Sequence, residues 1–189
     1  DSVWNATLIT DSIKPAKTTM ITNAVGLLNT YEFSRSYENV QNGYLNNELN
    51  FWLLTPYSQK LVTVVHYDGT ISAENPVVSS GIRPSVNLKS NIKIVSGTGT
   101  SDNPYRLQGD NDKPVQGTLL STRYSGEYIK FGAGENSLYQ IVSHETENNT
   151  KIASAEPLKV DGEYKSLSFG NSVTFSKNNT IGSFLNNEY

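Results

Sequence analysis

The chain predicts an α+β domain, mainly antiparallel β with one or two short helices, and three observations carry that expectation. Short apolar or β-branched runs recur between Gly, Pro, Asn and Asp, which is the spacing of strands and turns. Eleven Tyr, six Phe and two Trp supply bulky surface that pleated sheets pack well, so aromatic bulk stands in for aliphatic residues where the hydrophobic fraction is only 36%. One helix start is legible: Asn29 with Glu32 three residues later forms a capping-box pattern, in which each side chain satisfies a backbone N–H that the first turn leaves without a partner.

The elements follow in order. The β-branched stretch from Met20 to Leu28 predicts a strand before Asn29, and a short helix follows it. Phe51-Trp52-Leu53-Leu54 is a continuous apolar run stopped by Pro56, as expected of a strand buried on both faces. Leu61 to Tyr67 is β-branched and aromatic, and Asp68-Gly69 before Thr70-Ile71-Ser72 predicts a tight hairpin turn that uses the positive φ of Gly. Pro76 confines the next strand to an edge or a short piece. Val86 to Val95 alternates apolar and polar residues, the period of one strand with a wet face. Residues 111–117, following Gln108-Gly109-Asp110, lack apolar periodicity and divide the chain into a segment 1–110 and a segment 118–189. In the second, Tyr128 to Phe131, Leu138 to Val142 and Thr150 to Ala153 predict three short strands, with Pro157 and Gly162 marking the exit. Leu185-Asn186-Asn187-Glu188 echoes Leu45-Asn46-Asn47-Glu48, a faint internal repeat.

Composition removes several classes of function. A net charge of −3 and the absence of clustered Lys/Arg argue against a nucleic-acid or anionic-lipid surface. With no cysteine, disulfides, thiolate nucleophiles and Cys-based zinc sites are all excluded. No apolar run approaches the ~18 residues of a membrane span, no charged-then-apolar leader occurs at the start of the sequence, and Asp1 is expected to follow a cleavage or a boundary. Abundant Asn, Ser, Thr, Gly and Tyr with 17% charged residues suits an extracellular or cell-surface protein.

Motifs for chemistry are few. Ser90-Asn91-Ile92-Lys93 and Ser101-Asp102-Asn103 match two marks of penicillin-recognising serine enzymes, but Ser90 falls in a strand pattern, the two lie close together, and no Lys-Thr-Gly partner occurs. His66 and His144 lack metal-ligand spacing and no Gly-x-Ser-x-Gly elbow is present, so both read as partly exposed polar positions. Asp102, Asp110 and Asp112 lack the calcium-loop pattern and are expected to serve turns. No catalytic residue, cofactor or metal ligand is assigned. Arg83 is expected to be buried and bonded to backbone carbonyls or a carboxylate, because a desolvated guanidinium must be paired. Trp52 is expected in the core. For both, the lesser alternative is ligand contact, at Trp52 as a sugar-stacking platform.

The segment Phe51-Trp52-Leu53-Leu54-Thr55-Pro56, then Gly81-Ile82-Arg83-Pro84-Ser85-Val86-Asn87-Leu88, then Gly97 to Tyr105 resembles the end of an uncharacterised secreted domain of low-GC Gram-positive bacteria, marked by W-L-x-[ST]-P and G-[VI]-R-P-x-x-N-L motifs. Trp52, Pro56, Gly81, Arg83, Pro84 and Asn87 carry it. The resemblance covers Ala24 to Leu107, and Gly126 to Tyr189 is similar to the opening half of the same domain type, so the halves stand in reversed order. The Trp and Gly-Ile-Arg strands are also distantly similar to the closing strands of the C-type-lectin-like fold, which implies pairing of first and last strands.

These resemblances imply two routes to a complete fold. Segment 118–189 could close on segment 1–110 within one chain, as a permuted domain, or complete a neighbouring copy or repeat by strand donation, giving a head-to-tail array. The expected role is a non-catalytic extracellular structural or adhesive subunit that self-associates, and the alternative is a lectin-like module for a host or cell-wall glycan or protein.

Overall fold

A computed structural model describes residues 3–7, 18–22, 25–36, 43–109, 112, 116–146 and 149–189, with strands β1 (Val3–Thr7) and β2 (Thr18–Thr22) as an antiparallel pair. The rest centres on two sheets. The larger has seven strands in the order β3 (Gly26–Leu27), β8 (Pro84–Lys89), β13 (Asn149–Ser154), β12 (Leu138–Thr146), β11 (Tyr128–Lys130), β10 (Tyr105–Leu107), β9 (Ile94–Ser96). The smaller has five, in the order β16 (Ser166–Ser168), β7 (Ser79–Gly81), β4 (Phe51–Pro56), β5 (Val62–Val65), β6 (Ile71–Glu74). A hairpin of β14 (Lys159–Val160) and β15 (Glu163–Tyr164) joins the two regions. In these two sheets pairing is antiparallel except at β10–β11 and β4–β7, so the molecule is β-rich, mostly antiparallel, with few short helices.

Strands from either side of residues 111–117 interleave in both sheets. β8 runs beside β13 from Ser85↔Ala153 to Lys89↔Asn149, β10 beside β11, and β16 beside β7. At these three ladders the strand edges of each segment are completed by the other within a single chain.

Local signals explain most elements. The helix α1 (Thr30–Ser34) starts at the Asn29/Glu32 capping box: Asn29 Oδ1 accepts from the Glu32 N–H at 2.8 Å, and Glu32 Oε2 accepts from the Asn29 N–H at 2.9 Å. Strand β4 is buried at every position. Its alternation sends Trp52 and Leu54 into a core with Ile82, Phe169, Phe175 and Ile181, while Phe51 and Leu53 enter a second core with Phe33, Leu45 and Val142. A third core, with Leu88, Ile129, Ile141 and Ile152, lies along the seven-stranded sheet. The β5–β6 turn closes through the His66 N–H on the Thr70 carbonyl, with Gly69 at φ 81°. The second helix, α2 (Thr180–Ser183), is capped by Asn179 and widens into a π-type turn at Phe184–Glu188.

Two expectations are corrected. The alternating run from Val86 to Val95 is two strands, not one: Ser90-Asn91 turns the chain, the Ile92 N–H bonds the Lys89 carbonyl, and β8 and β9 end near opposite sides of the sheet. The alternation survives because both pieces keep one face wet, and Asn at a turn outweighs a continuing period. The Leu-Asn-Asn-Glu echo also has no common structure. Leu45 to Glu48 lies in a loop, whereas Leu185 to Glu188 is helical, with Asn186 bonding both backbone groups of Val25 at 3.1 and 3.0 Å. Of the expected linker, Asp112, Gln116 and Gly117 fall among the described residues, and Asp110 lies outside them.

Candidate functional site

The residues singled out in the sequence do not gather at one point: Arg83 lies over Phe51 and Trp52 packs against Phe169, in different cores. Arg83 follows β7 and points between the segments, 1% exposed. Its Nε–H donates to the Ser154 carbonyl at 2.6 Å, Nη1 donates to the Leu45 carbonyl, and Nη2 donates to Gln140 Oε1 and the Ala155 carbonyl, both at 3.1 Å. The Phe51 ring lies 5.2 Å below the guanidinium carbon. Gln140, 3% exposed, passes the network on by donating from Nε2 to the Tyr44 carbonyl at 3.1 Å. Burial lowers the pKa of Arg83 to about 10, and the charges of Tyr128, Tyr44 and Glu156 work in the opposite direction. The partners are carbonyls, as expected from the need to pair a buried guanidinium, and three of the four lie beyond residue 118.

Trp52 is fully buried, and its indole N–H donates to the Leu167 carbonyl on β16 at 2.9 Å. The Phe169 ring meets it edge-on at 5.7 Å. Both Trp52 and Arg83 are internal, so a ligand would have to open the core to reach either side chain. Pro56 closes β4 and is buried beside Val62, and Pro84 is buried opposite Leu27. Asn87, half-buried on β8, sits in register with Lys151.

Gly81 is a close-approach position. A Cβ there would lie 2.5 Å from the Asn50 carbonyl oxygen and 3.2 Å from Pro157 Cβ. Its N–H donates to that same Asn50 carbonyl at 3.2 Å, so β7 is pinned between β4 and β16 by a contact only glycine permits. Gly81→Ala is expected to destabilise the fold by about 1–3 kcal/mol through overpacking, measured as a lower urea midpoint at unchanged m-value. Wild-type stability in that variant would contradict the packing described.

Two shallow clefts flank Pro157 above this region. The first, about 250 Å³, is lined by Leu49, Asn50, Ser79, Ser80, Gly81, Pro157, Tyr164 and Ser166. The second, about 140 Å³, is lined by Glu135, Asn136, Leu138, Ser154, Ala155, Glu156, Pro157 and Lys159. Asn136 anchors the β14–β15 hairpin through both backbone groups of Lys159 at 2.8 Å. Lys159 Nζ bonds Glu156 at 2.8 Å and lies 4.7 Å from the Tyr164 ring centre, while the Tyr164 hydroxyl donates to Glu156 at 2.9 Å. The hydrogen bond from Lys159 holds the Glu156 carboxyl below its usual range, and the Lys159 ammonium is raised in turn.

Several other titratable groups serve the fold. Both ring nitrogens of His144 are engaged: Nε2–H donates to the Arg123 carbonyl at 2.8 Å, and Nδ1 bonds the Thr150 hydroxyl at 2.9 Å. Lys151 and Glu32, 9% and 10% exposed, pair at 2.5 Å and tie α1 to β13. Asp112 closes a turn by accepting from the Gly109 N–H at 2.8 Å and pairs with Arg106 at 3.0 Å. Among the described residues, no group of three His, Asp or Glu converges to hold a metal ion, and no helix is long and apolar enough to cross a membrane.

Burial raises the pKa of Tyr139, and its hydrogen bond to the Tyr189 hydroxyl at 2.9 Å adds to the rise. A tyrosine kept neutral in the fold contributes stability below its ordinary value of 10.0, and that stability is lost as pH rises above it. Tyr44, raised by burial, acts the same way. Arg83 acts oppositely, because its folded value of about 10 lies below the ordinary 12.5, so the unfolded chain holds the extra proton between them. The rise at Tyr139 predicts a stability contribution that falls as pH rises above 10. Tyr139→Phe should flatten that slope, and an unchanged slope in alkaline urea titrations would contradict the assignment.

Residues 16–90 match a family model described as "Domain of unknown function (DUF6273)". The match spans the segment that holds Trp52, Gly81, Arg83 and Asn87 and stops short of β9 to β16. No curated protein and no solved structure matches the chain.

Sequence reasoning missed Gln140, Lys151 and both clefts. Gln140 is a lone polar residue in the run Leu138 to Val142, and its bond to Arg83 holds it inside. The clefts are assembled from residues distant in the chain, which no local pattern encodes.

Proposed function

We propose that this chain is a non-catalytic extracellular structural or adhesive module that works through its surface and through association, not through a reaction. The observation that carries the reading is the Arg83 clamp. The side chain with most chemical potential in the motif region is spent on carbonyls of its own chain, across the junction of segments 1–110 and 118–189. His144 and the Glu32–Lys151 pair are engaged within the fold in the same way. A cysteine-free chain rich in small polar residues and tyrosine suits an exported surface location.

The junction supports one domain whose halves stand in reversed order, and it also supplies a means of assembly. The β8–β13 and β10–β11 ladders that close one chain would close equally well if two copies exchanged residues 118–189, which would build a head-to-tail array. Light scattering across a concentration series tests this. Reversible growth in mass fits exchange, and a monomer at all concentrations that also fails to bind cell walls contradicts the adhesive role. A lectin-like binding module is the second reading, favoured by the neutral cleft beside Tyr164.

A further inference from the structure

The geometry points to the cleft between β7, β16 and the β14–β15 hairpin as a site for a single ring of a neutral sugar. This rests on the reading of the chain as a binding module. The cleft measures about 250 Å³, below the ~300 Å³ at which sites for drug-sized ligands begin, so its occupant is small. Its lining is of two kinds. Ser79, Ser80, Ser166 and Asn50 offer hydroxyl and amide groups that both donate and accept, while Pro157 and the 43%-exposed Tyr164 offer apolar surface. A pyranose has the matching composition, with hydroxyls at its rim and C–H groups on its face.

Charge selects against ionic ligands. None of the eight lining residues is charged, and the nearest ammonium and carboxylate, Lys159 and Glu156, pair with one another at 2.8 Å. One polar group in the wall also lacks a partner. The Ser80 hydroxyl is buried and finds no hydrogen-bond partner among the described residues, although its backbone neighbours Ser79 and Gly81 are paired in the sheet. An unsatisfied buried hydroxyl is costly, and a χ1 rotation towards the cleft would let a ligand hydroxyl complete it. The amide of Asn50 is held in place, since its Oδ1 accepts from the Tyr67 N–H at 2.7 Å.

The test is an NMR titration of the intact chain with free glucose, galactose, mannose and N-acetylglucosamine, following both the protein amides and the sugar resonances. Saturable shifts at Ser79, Ser80, Tyr164 and Ser166 with one of these sugars are expected. Tyr164→Ala should weaken binding by roughly tenfold, as loss of an aromatic anchor does, and Ser80→Ala, which keeps the fold, should weaken it less. Ser79→Tyr, at an exposed position, should block the cleft. Absence of saturable shifts with all four sugars, or shifts unchanged in both Tyr164→Ala and Ser79→Tyr, would overturn the site while leaving the non-catalytic reading standing. New sugar resonances alongside the shifts would uphold the site and overturn the non-catalytic reading.

Discussion

Replacing Arg83 with Met is expected to cost about 3–5 kcal/mol, because several buried acceptors are left unsatisfied at roughly 1–3 kcal/mol each and do not all find other donors. Met fills a similar volume but cannot donate, so the Leu45, Ser154 and Ala155 carbonyls and Gln140 Oε1 lose their donor together. Three of those acceptors lie in segment 118–189, so the loss falls on the junction between segments and not on one sheet alone. Arg83→Lys should recover little, because a single ammonium cannot reach acceptors arranged around a planar fork. Urea unfolding followed by far-UV circular dichroism measures both. A Lys variant of wild-type stability would mean that charge alone, and not the fork, holds the site.

Trp52→Ala is expected to cost about 3–5 kcal/mol, because the cavity left between the five-stranded sheet and α2 cannot collapse onto strands pinned on either side. The indole fills the space against Phe169 and its N–H satisfies the Leu167 carbonyl, so the variant loses packing and orphans an acceptor on β16. Trp52→Phe keeps much of the packing and should cost clearly less. Equal midpoints for the two variants would show that the hydrogen bond to β16, not the packing, dominates.

What could be read from the residues divides along a physical line. The Asn29/Glu32 box, the buried run at Phe51 to Leu54, the Asp68-Gly69 turn and the three strands after Tyr128 were legible because each is set by local sterics, capping or period. The buried, carbonyl-bonded state expected of Arg83 was legible for a different reason: a guanidinium entering an apolar strand has few ways to be satisfied. The break at Ser90-Asn91 was hidden because alternation on both sides of a turn looks like one strand. Gln140 and the Glu32–Lys151 pair were hidden because their partners lie far away in the chain, and the cleft residues because each is ordinary alone. The parallel pairs β10–β11 and β4–β7 likewise depend on topology, which local pattern does not specify.

The account rests on mutual completion of the two segments within one chain. Expressing residues 1–110 alone removes β13 from the side of β8, β11 from β10 and three of four acceptors from Arg83. The amide spectrum of that fragment is expected to be poorly dispersed, and addition of residues 118–189 is expected to restore the dispersion of the intact chain. A well-dispersed spectrum from residues 1–110 alone, unchanged by the second segment, would contradict it.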